Sequence, residues 1–194
     1  MKTVMVSAPG KIIIAGEYAV LADAPAISMA IDKRARVSIR EHDKKTHVLK
    51  TSGFINKELL FIVNNNGEIE WLSGTPDNPV RIFFECMWQQ VNICPSIYYE
   101  FIFDTAGFYD EEAKLKYGIG SSAALMVALA GAFIEIFKLS LGAKELALKA
   151  HRDFQGANGS GVDIATSMEG GIIKYFRKEN KVPVSLEFPC DLKF

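Results

Sequence analysis

The sequence predicts an α+β domain, a half-buried antiparallel sheet with about four helices. Three features carry that prediction. Apolar and polar residues alternate through much of the first hundred positions, a long alanine-rich stretch is apolar on nearly every face, and helical periodicity flanks it. In the first forty residues Val4 to Val6, Ile12 to Ile14 and Ala35 to Arg40 read as strands, with Val37 and Ile39 alternating against polar neighbours. His47 to Lys50, Leu59 to Val63 and Ile69 to Leu72 continue as meander hairpins, with Asn64-Asn65-Asn66-Gly67 as a turn between the last two. Asp77 stands as a helix cap ahead of Pro79, after which Val80, Phe83, Phe84, Met87 and Val91 recur at helical spacing. Ser96 to Phe103 returns to strand character, and Asp104 to Lys116 reads as a polar surface loop.

Ser121 to Leu139 is the stretch that must be buried on most sides. Ala143 to Phe154 is a surface helix with Leu146, Ala147, Ala150 and Phe154 on one arc and Glu145, Lys149, Arg152 and Asp153 on another. The glycine-rich Gln155 to Gly161 then leads into a short helix, Val162 to Met168, and two strands, Ile172 to Phe176 and Val184 to Phe188. Neither a repeat nor a linker interrupts the 194 residues, so one unit accounts for them.

Composition narrows the function classes. Lys and Arg number 22 against 23 Asp and Glu, a net charge of −1, so no global field would hold nucleic acid or an anionic membrane. Any anion must be bound locally. Hydrophobic residues at 49% and charged residues at 23% exclude a disordered or fibrous chain. Cys86, Cys94 and Cys190 offer neither a disulfide framework nor a metal-ligand spacing, which points to a reducing, cytoplasmic setting. The apolar start Val4-Met5-Val6 meets Pro9-Gly10-Lys11 before a signal-peptide core forms, and the longest uncharged run, Gly118 to Ile134, contains two serines and three glycines. The expected partner is therefore a small-molecule substrate, with neither nucleic acid nor membrane, and a homodimer stays open.

Three segments carry chemistry. Tyr117-Gly118-Ile119-Gly120-Ser121-Ser122-Ala123 opens the buried helix with two glycines, two hydroxyls and the amides of a helix start, groups suited to a phosphate. It fits neither the GxxxxGK[ST] loop nor the three-glycine dinucleotide fingerprint, and taken alone it equally describes a ligand-free helix cap. Lys11 stands between Pro9-Gly10 and an apolar strand, where an ammonium needs an anionic partner or a route to water. Asp163 follows Gly159-Ser160-Gly161 in the first turn of a short helix. It is either half of a capping box with Ser160 or a carboxylate able to orient a substrate hydroxyl beside a lysine.

Together the three segments resemble the GHMP small-molecule kinases. Ala8-Pro9-Gly10-Lys11 through Gly16-Glu17-Tyr18-Ala19-Val20-Leu21 resembles the family's first motif, and Gly118 to Ala123 its phosphate loop. The resemblance implies the ribosomal protein S5 domain 2-like fold, a mixed or antiparallel sheet packed against about four helices. It implies ATP and Mg²⁺ as cofactors, with Gly118, Ile119, Gly120, Ser121, Ser122 and Ala123 holding the nucleotide and Ser122 reaching the metal. Lys11 and Asp163 match the catalytic pair, and Lys11, Tyr18, Ser160, Gly161 and Asp163 the acceptor site.

Within the family, Tyr18, Pro25-Ala26-Ile27 and Lys116-Tyr117 resemble the bacterial-type phosphomevalonate kinases; mevalonate kinases usually have histidine where Tyr18 stands. The implied reaction is transfer of a phosphoryl group from ATP to phosphomevalonate. Mevalonate kinase or another alcohol kinase is the alternative, and a non-catalytic nucleotide-binding module the reading from another class. Two departures matter: Lys114 replaces a proline common ahead of the loop, and no acidic residue near Gln155 matches the second metal ligand of mevalonate kinases. Extra cations for a phosphorylated substrate would come from Lys11, Lys116, His151 or Arg152, although Arg152 also reads as part of a solvated helix face. The resemblance covers residues 1–194 as the family's N-terminal, ATP-binding domain and finds no C-terminal domain in this sequence, so weak or no activity is expected of the chain alone.

Overall fold

The computed structural model describes residues 2–53, 56–91, 93–156, 159–177 and 182–187. Strand β1 (Thr3–Ala15) runs antiparallel along β2 (Ala26–His42). The segments expected as two strands are thus one, and β2 begins nine residues before Ala35. Continuity through Pro9-Gly10 comes from a register shift: Pro9 pairs with Arg34 and Gly10 with Ile31, so Asp32 and Lys33 bulge from β2. A proline has no N–H for the ladder, and a bulge is where a sheet tolerates it.

The expected meander follows as β3 (His47–Ser52), β4 (Lys57–Val63) and β5 (Ile69–Trp71). Helix α1 (Pro79–Trp88) is capped by Asn78 rather than Asp77; the Asn78 side chain accepts the Val80 N–H at 2.9 Å. Pro79 then takes the first helical position, where its missing N–H leaves nothing unsatisfied. Strand β6 (Tyr98–Asp104) lies between β2, to which it is antiparallel, and β3, to which it is parallel. The stretch expected as a surface loop instead folds inward: after a short 3₁₀ turn at Ala106–Phe108 come β7 (Tyr109–Asp110) and β8 (Leu115–Lys116), paired with each other, and Phe108 is buried.

Helices α2 (Ser121–Phe137), α3 (Ala143–Gln155) and α4 (Val162–Glu169) and strands β9 (Ile172–Tyr175) and β10 (Val184–Leu186) are the remaining elements among the described residues. Phe188, expected to end the last strand, and Cys190 lie outside the described residues. The main sheet has the order β10-β9-β2-β6-β3-β4-β5, with β1 also paired to β2. Helix α2 packs on β1 and β2 and touches all three other helices. Its Ala123, Met126, Leu129, Ala130 and Phe133 are fully buried, as expected of a helix apolar all round. Phe84, Phe101 and Phe133 meet at ring-centroid distances of 5.0 to 6.0 Å, joining α1, β6 and α2.

Cross-strand ion pairs run over the partly exposed side chains of β2, β6, β3 and β4. Arg36 pairs with Asp104 at 3.6 Å, Glu100 takes both Arg40 and Lys50, and Lys50 reaches Glu58 at 3.5 Å. Burial pushes the Glu100 carboxyl up, but Arg40 and Lys50 hold it below its ordinary range. Among the described residues no helix is long and apolar enough to cross a membrane.

Candidate active site

The loop ahead of α2 bends at two glycines, Gly118 at φ +73° and Gly120 at φ +79°, and Gly120 caps the helix with no side chain. The first amides of α2 therefore receive no side-chain cap, and its first turn holds no acidic residue. Helix-start amides, the dipole and two hydroxyls together favour an anion here. Ser121 is buried, while Ser122 is half-buried with its Oγ 3.4 Å from His151 Nε2.

Lys11 is fastened to this loop from below. Its backbone N–H donates to the Ile119 carbonyl at 2.9 Å. A Cβ on Gly10 would stand 2.6 Å from that same carbonyl oxygen and 2.5 Å from Phe108 Cε1, and a Cβ on Gly120 would stand 2.9 Å from Lys11 Cγ. Glycine at both positions is what lets β1 and the loop touch.

The Lys11 ammonium lies 3.0 Å from Asp163 Oδ1, the two side chains being 11% and 28% exposed. The expected need of Lys11 for a carboxylate is met. Asp163 does not complete a capping box: Gly161, at φ +82°, caps α4, and the Ser160 hydroxyl accepts the Val162 N–H at 3.3 Å. Asp163 is left to face Lys11. Beneath this loop the Tyr175 hydroxyl donates to the Ser160 carbonyl at 2.9 Å, and a Cβ on Gly161 would come within 2.9 Å of the same hydroxyl oxygen.

Two cavities flank the loop. One, of about 240 Å³, is lined by Lys11, Tyr18, His151, Gln155, Ser160, Gly161 and Asp163, which brings together every residue expected at the acceptor site. Tyr18 is 81% exposed and stands at the rim. The other, of about 250 Å³, is largely apolar, with Phe83, Phe103, Phe108, Leu125 and Phe154 in its wall beside Ser121, Ser122 and Lys116. The contact between Ser122 and His151 joins the two.

His151 is not the cation expected of it. It is buried, and burial lowers its pKa against the opposing pull of Asp163, which keeps the ring neutral. Its place was readable from the sequence, since residue 151 falls four after Ala147 and one after Ala150 on the apolar arc of α3. Tyr175 and Phe108 gave no such signal. Among the described residues no cluster of three His, Cys, Asp or Glu side chains is placed to hold a metal ion.

Residues 98–171 match the GHMP kinases N terminal domain. The chain carries a GHMP kinase N-terminal domain. Along most of its length this GHMP domain is similar to archaeal proteins named mevalonate kinase. The identity is 28% over 199 residues with that of Pyrococcus abyssi (97% of this chain, 56% of the relative) and 32% over 185 residues with that of Pyrococcus furiosus (89% and 51%). The chain thus spans about half the length of the curated relatives it matches.

Solved structures share the fold. The mevalonate kinase of Methanococcus jannaschii has a TM-score of 0.71 at 22% identity, covering 96% of this chain and 56% of that one. The Streptococcus pneumoniae phosphomevalonate kinase, in complex with phosphomevalonate and AMPPNP, has a TM-score of 0.66 at 21% identity, covering 89% and 49%. The relatives matched in sequence are named mevalonate kinase, and the phosphomevalonate kinase is matched in fold.

Proposed function

We propose that this GHMP domain forms the nucleotide-binding and acceptor-binding half of an ATP-dependent kinase acting on the hydroxyl of a small acid, mevalonate first. The observation that carries the reading is the Lys11–Asp163 pair at 3.0 Å, with Lys11 packed against the glycine that opens α2. An uncapped helix start beside such a pair brings anion binding and proton handling to one place.

The amides and hydroxyls of Gly118 to Ser122 would hold the triphosphate, and the apolar cavity beside Ser121 and Ser122 suits an aromatic base. In the other cavity the Asp163 carboxylate would orient the acceptor hydroxyl and take its proton. The acceptor oxygen then bonds to the γ-phosphorus as the bridge to the β-phosphate breaks and ADP leaves. Lys11 would hold Asp163 ionised and offset charge gathering on the transferred group. Mg²⁺ keeps several waters and is bound through substrate phosphates with one or two protein ligands, usually carboxylates. The Ser122 hydroxyl would be its protein ligand, and the ion would neutralise phosphate charge.

Phosphomevalonate is the second reading, favoured by Tyr18 at the rim. With His151 neutral, Lys11 in the acceptor cavity, Lys116 beside the apolar cavity and Arg152 on the exposed side of α3 are the cations left from those expected for its phosphate. The test is coupled ADP release with ATP and Mg²⁺, offering mevalonate and phosphomevalonate side by side, on this chain and on the longest product its locus encodes. Mevalonate-dependent release that Asp163→Asn abolishes supports the reading; ATP binding without release to either acid from the longer product would sink it.

A further inference from the structure

The end of β9 reaches two parts of the acceptor cavity's wall. Tyr175, the last residue of the strand, donates its hydroxyl to the Ser160 carbonyl. Two residues on, Arg177 donates from Nη1 to the Leu21 carbonyl at 3.2 Å, and Leu21 lines the same cavity with Glu17 and Tyr18. Nothing in the kinase reading uses Arg177.

The segment that carries Leu21 is a closed loop, residues 16–25, between β1 and β2. Gly16 stands at φ +84°, where a Cβ would come within 2.4 Å of the Pro25 carbonyl oxygen, so the two ends of the loop touch. On its inner side Val20 is fully buried and packs with Ala26 and Val162, against which Ile13 and Tyr175 also lie. On its outer side Tyr18 and Leu21 are exposed.

The backbone of the loop leaves one carbonyl for Arg177. In the 3₁₀ turn the Tyr18 carbonyl accepts the Leu21 N–H, the Ala19 carbonyl the Ala24 N–H and the Val20 carbonyl the Asp23 N–H. The Leu21 carbonyl accepts no backbone N–H among the described residues and takes the guanidinium instead. A bond from a charged donor is stronger than one between neutral groups, and this one ties the outer side of the loop to the main sheet.

We propose that Arg177 is a positioning residue for the acceptor: through the Leu21 carbonyl it fixes Tyr18 and Leu21 at the cavity and so sets how tightly the acceptor is held. The proposal rests on the kinase reading and extends it. A wall that moves loosens the acceptor, since the reacting hydroxyl must be held in one place. The phosphate loop stands on α2 and Lys11, apart from this contact, so ATP should not sense the change.

The test is coupled ADP release by the longest product the locus encodes, with mevalonate or phosphomevalonate varied, for the wild type, Arg177→Gln and Arg177→Lys. Arg177→Gln should raise the acceptor KM about tenfold, the scale of one charge-assisted hydrogen bond. The kcat and the KM of ATP should stay as they were, which a general loss of structure would not allow. A single bond to one carbonyl can also be made by an ammonium, so Arg177→Lys should recover most of the loss. In this chain, amide hydrogen exchange at Leu21, Asp23 and Ala24 should quicken in Arg177→Gln. An unchanged acceptor KM, a loss shared by kcat and both KM values, a lysine that recovers nothing, or unchanged exchange would each overturn the proposal and leave the kinase reading standing. Wild-type protein that releases ADP with neither acid would overturn both.

Discussion

The Tyr175 hydroxyl donates to the Ser160 carbonyl at 2.9 Å, so a strand of the main sheet supports the glycine loop that presents Asp163 to Lys11. Tyr175 also packs with Val20, Ala26 and Val162, and burial raises its pKa, which keeps the phenol protonated as the donor. Tyr175→Phe should cost about 1 kcal/mol of stability, the worth of one such bond. It should slow turnover severalfold and leave ATP affinity unchanged; urea unfolding, ATP binding and ADP release together check this.

Asp163→Asn leaves a Lys11 ammonium only 11% exposed without its counter-charge. We expect a loss of turnover of about 100-fold or more, the usual scale for a positioned acid–base group. ATP should still bind, because the phosphate loop is untouched. Lys11→Ala should also lose turnover but weaken ATP as well, since it removes the packing under Gly120. Equal ATP affinity in the two variants would contradict that division of roles.

Gly120→Ala puts a methyl 2.9 Å from Lys11 Cγ at a residue held at φ +79°. The backbone strain alone is about 1–2 kcal/mol. Both the melting temperature and ATP affinity should fall. Gly118→Ala meets no atom within 4 Å, so its cost comes from φ alone and should be smaller.

Acid should unfold the domain through its buried histidines. His47 stacks on Phe61 at 4.8 Å and its Nδ1 accepts the Tyr99 N–H at 3.1 Å; burial, then the nearby His42, push its pKa from 6.5 down to about 4. Above the ordinary value neither the folded nor the unfolded chain takes this proton. Between pH 6.5 and 4 only the unfolded chain does, so stability falls with pH across that window, by up to about 3 kcal/mol. His151, also lowered by burial, adds to the slope. Urea midpoints measured from pH 7 to pH 4 should decline, and His47→Phe should flatten the decline while lowering the starting value.

The helices and the meander were legible because their periods are local. Pro79, Gly120 and Gly161 mark helix starts through chemistry that acts within one turn. What stayed hidden depends on contacts made far along the chain. Pro9-Gly10 reads as a break, yet the bulge at Asp32-Lys33 carries the strand through it. A polar-looking segment hides Phe108, which fills the space that Gly10 vacates. For the candidate site, both glycine loops and both charged residues could be named from their types, but the neutral state of His151 and the support from Tyr175 exist only once α3 and β9 have packed.

Lys11 stands on β1 and Asp163 on α4, 152 residues later, so everything between them must be made before the pair can meet. β1 and β2 can zip together early, being joined only by Gly16 to Pro25 with its 3₁₀ turn at Ala19–Ala22, while β9 adds to β2 through the distant match of Ala26 with Tyr175. Contacts between such remote segments close late, after local structure has formed. On the ribosome, the emerging domain would hold its lysine and its phosphate loop in place while the carboxylate was still to come. Nucleotide binding and acceptor chemistry would thus arise at different moments in the life of a single chain.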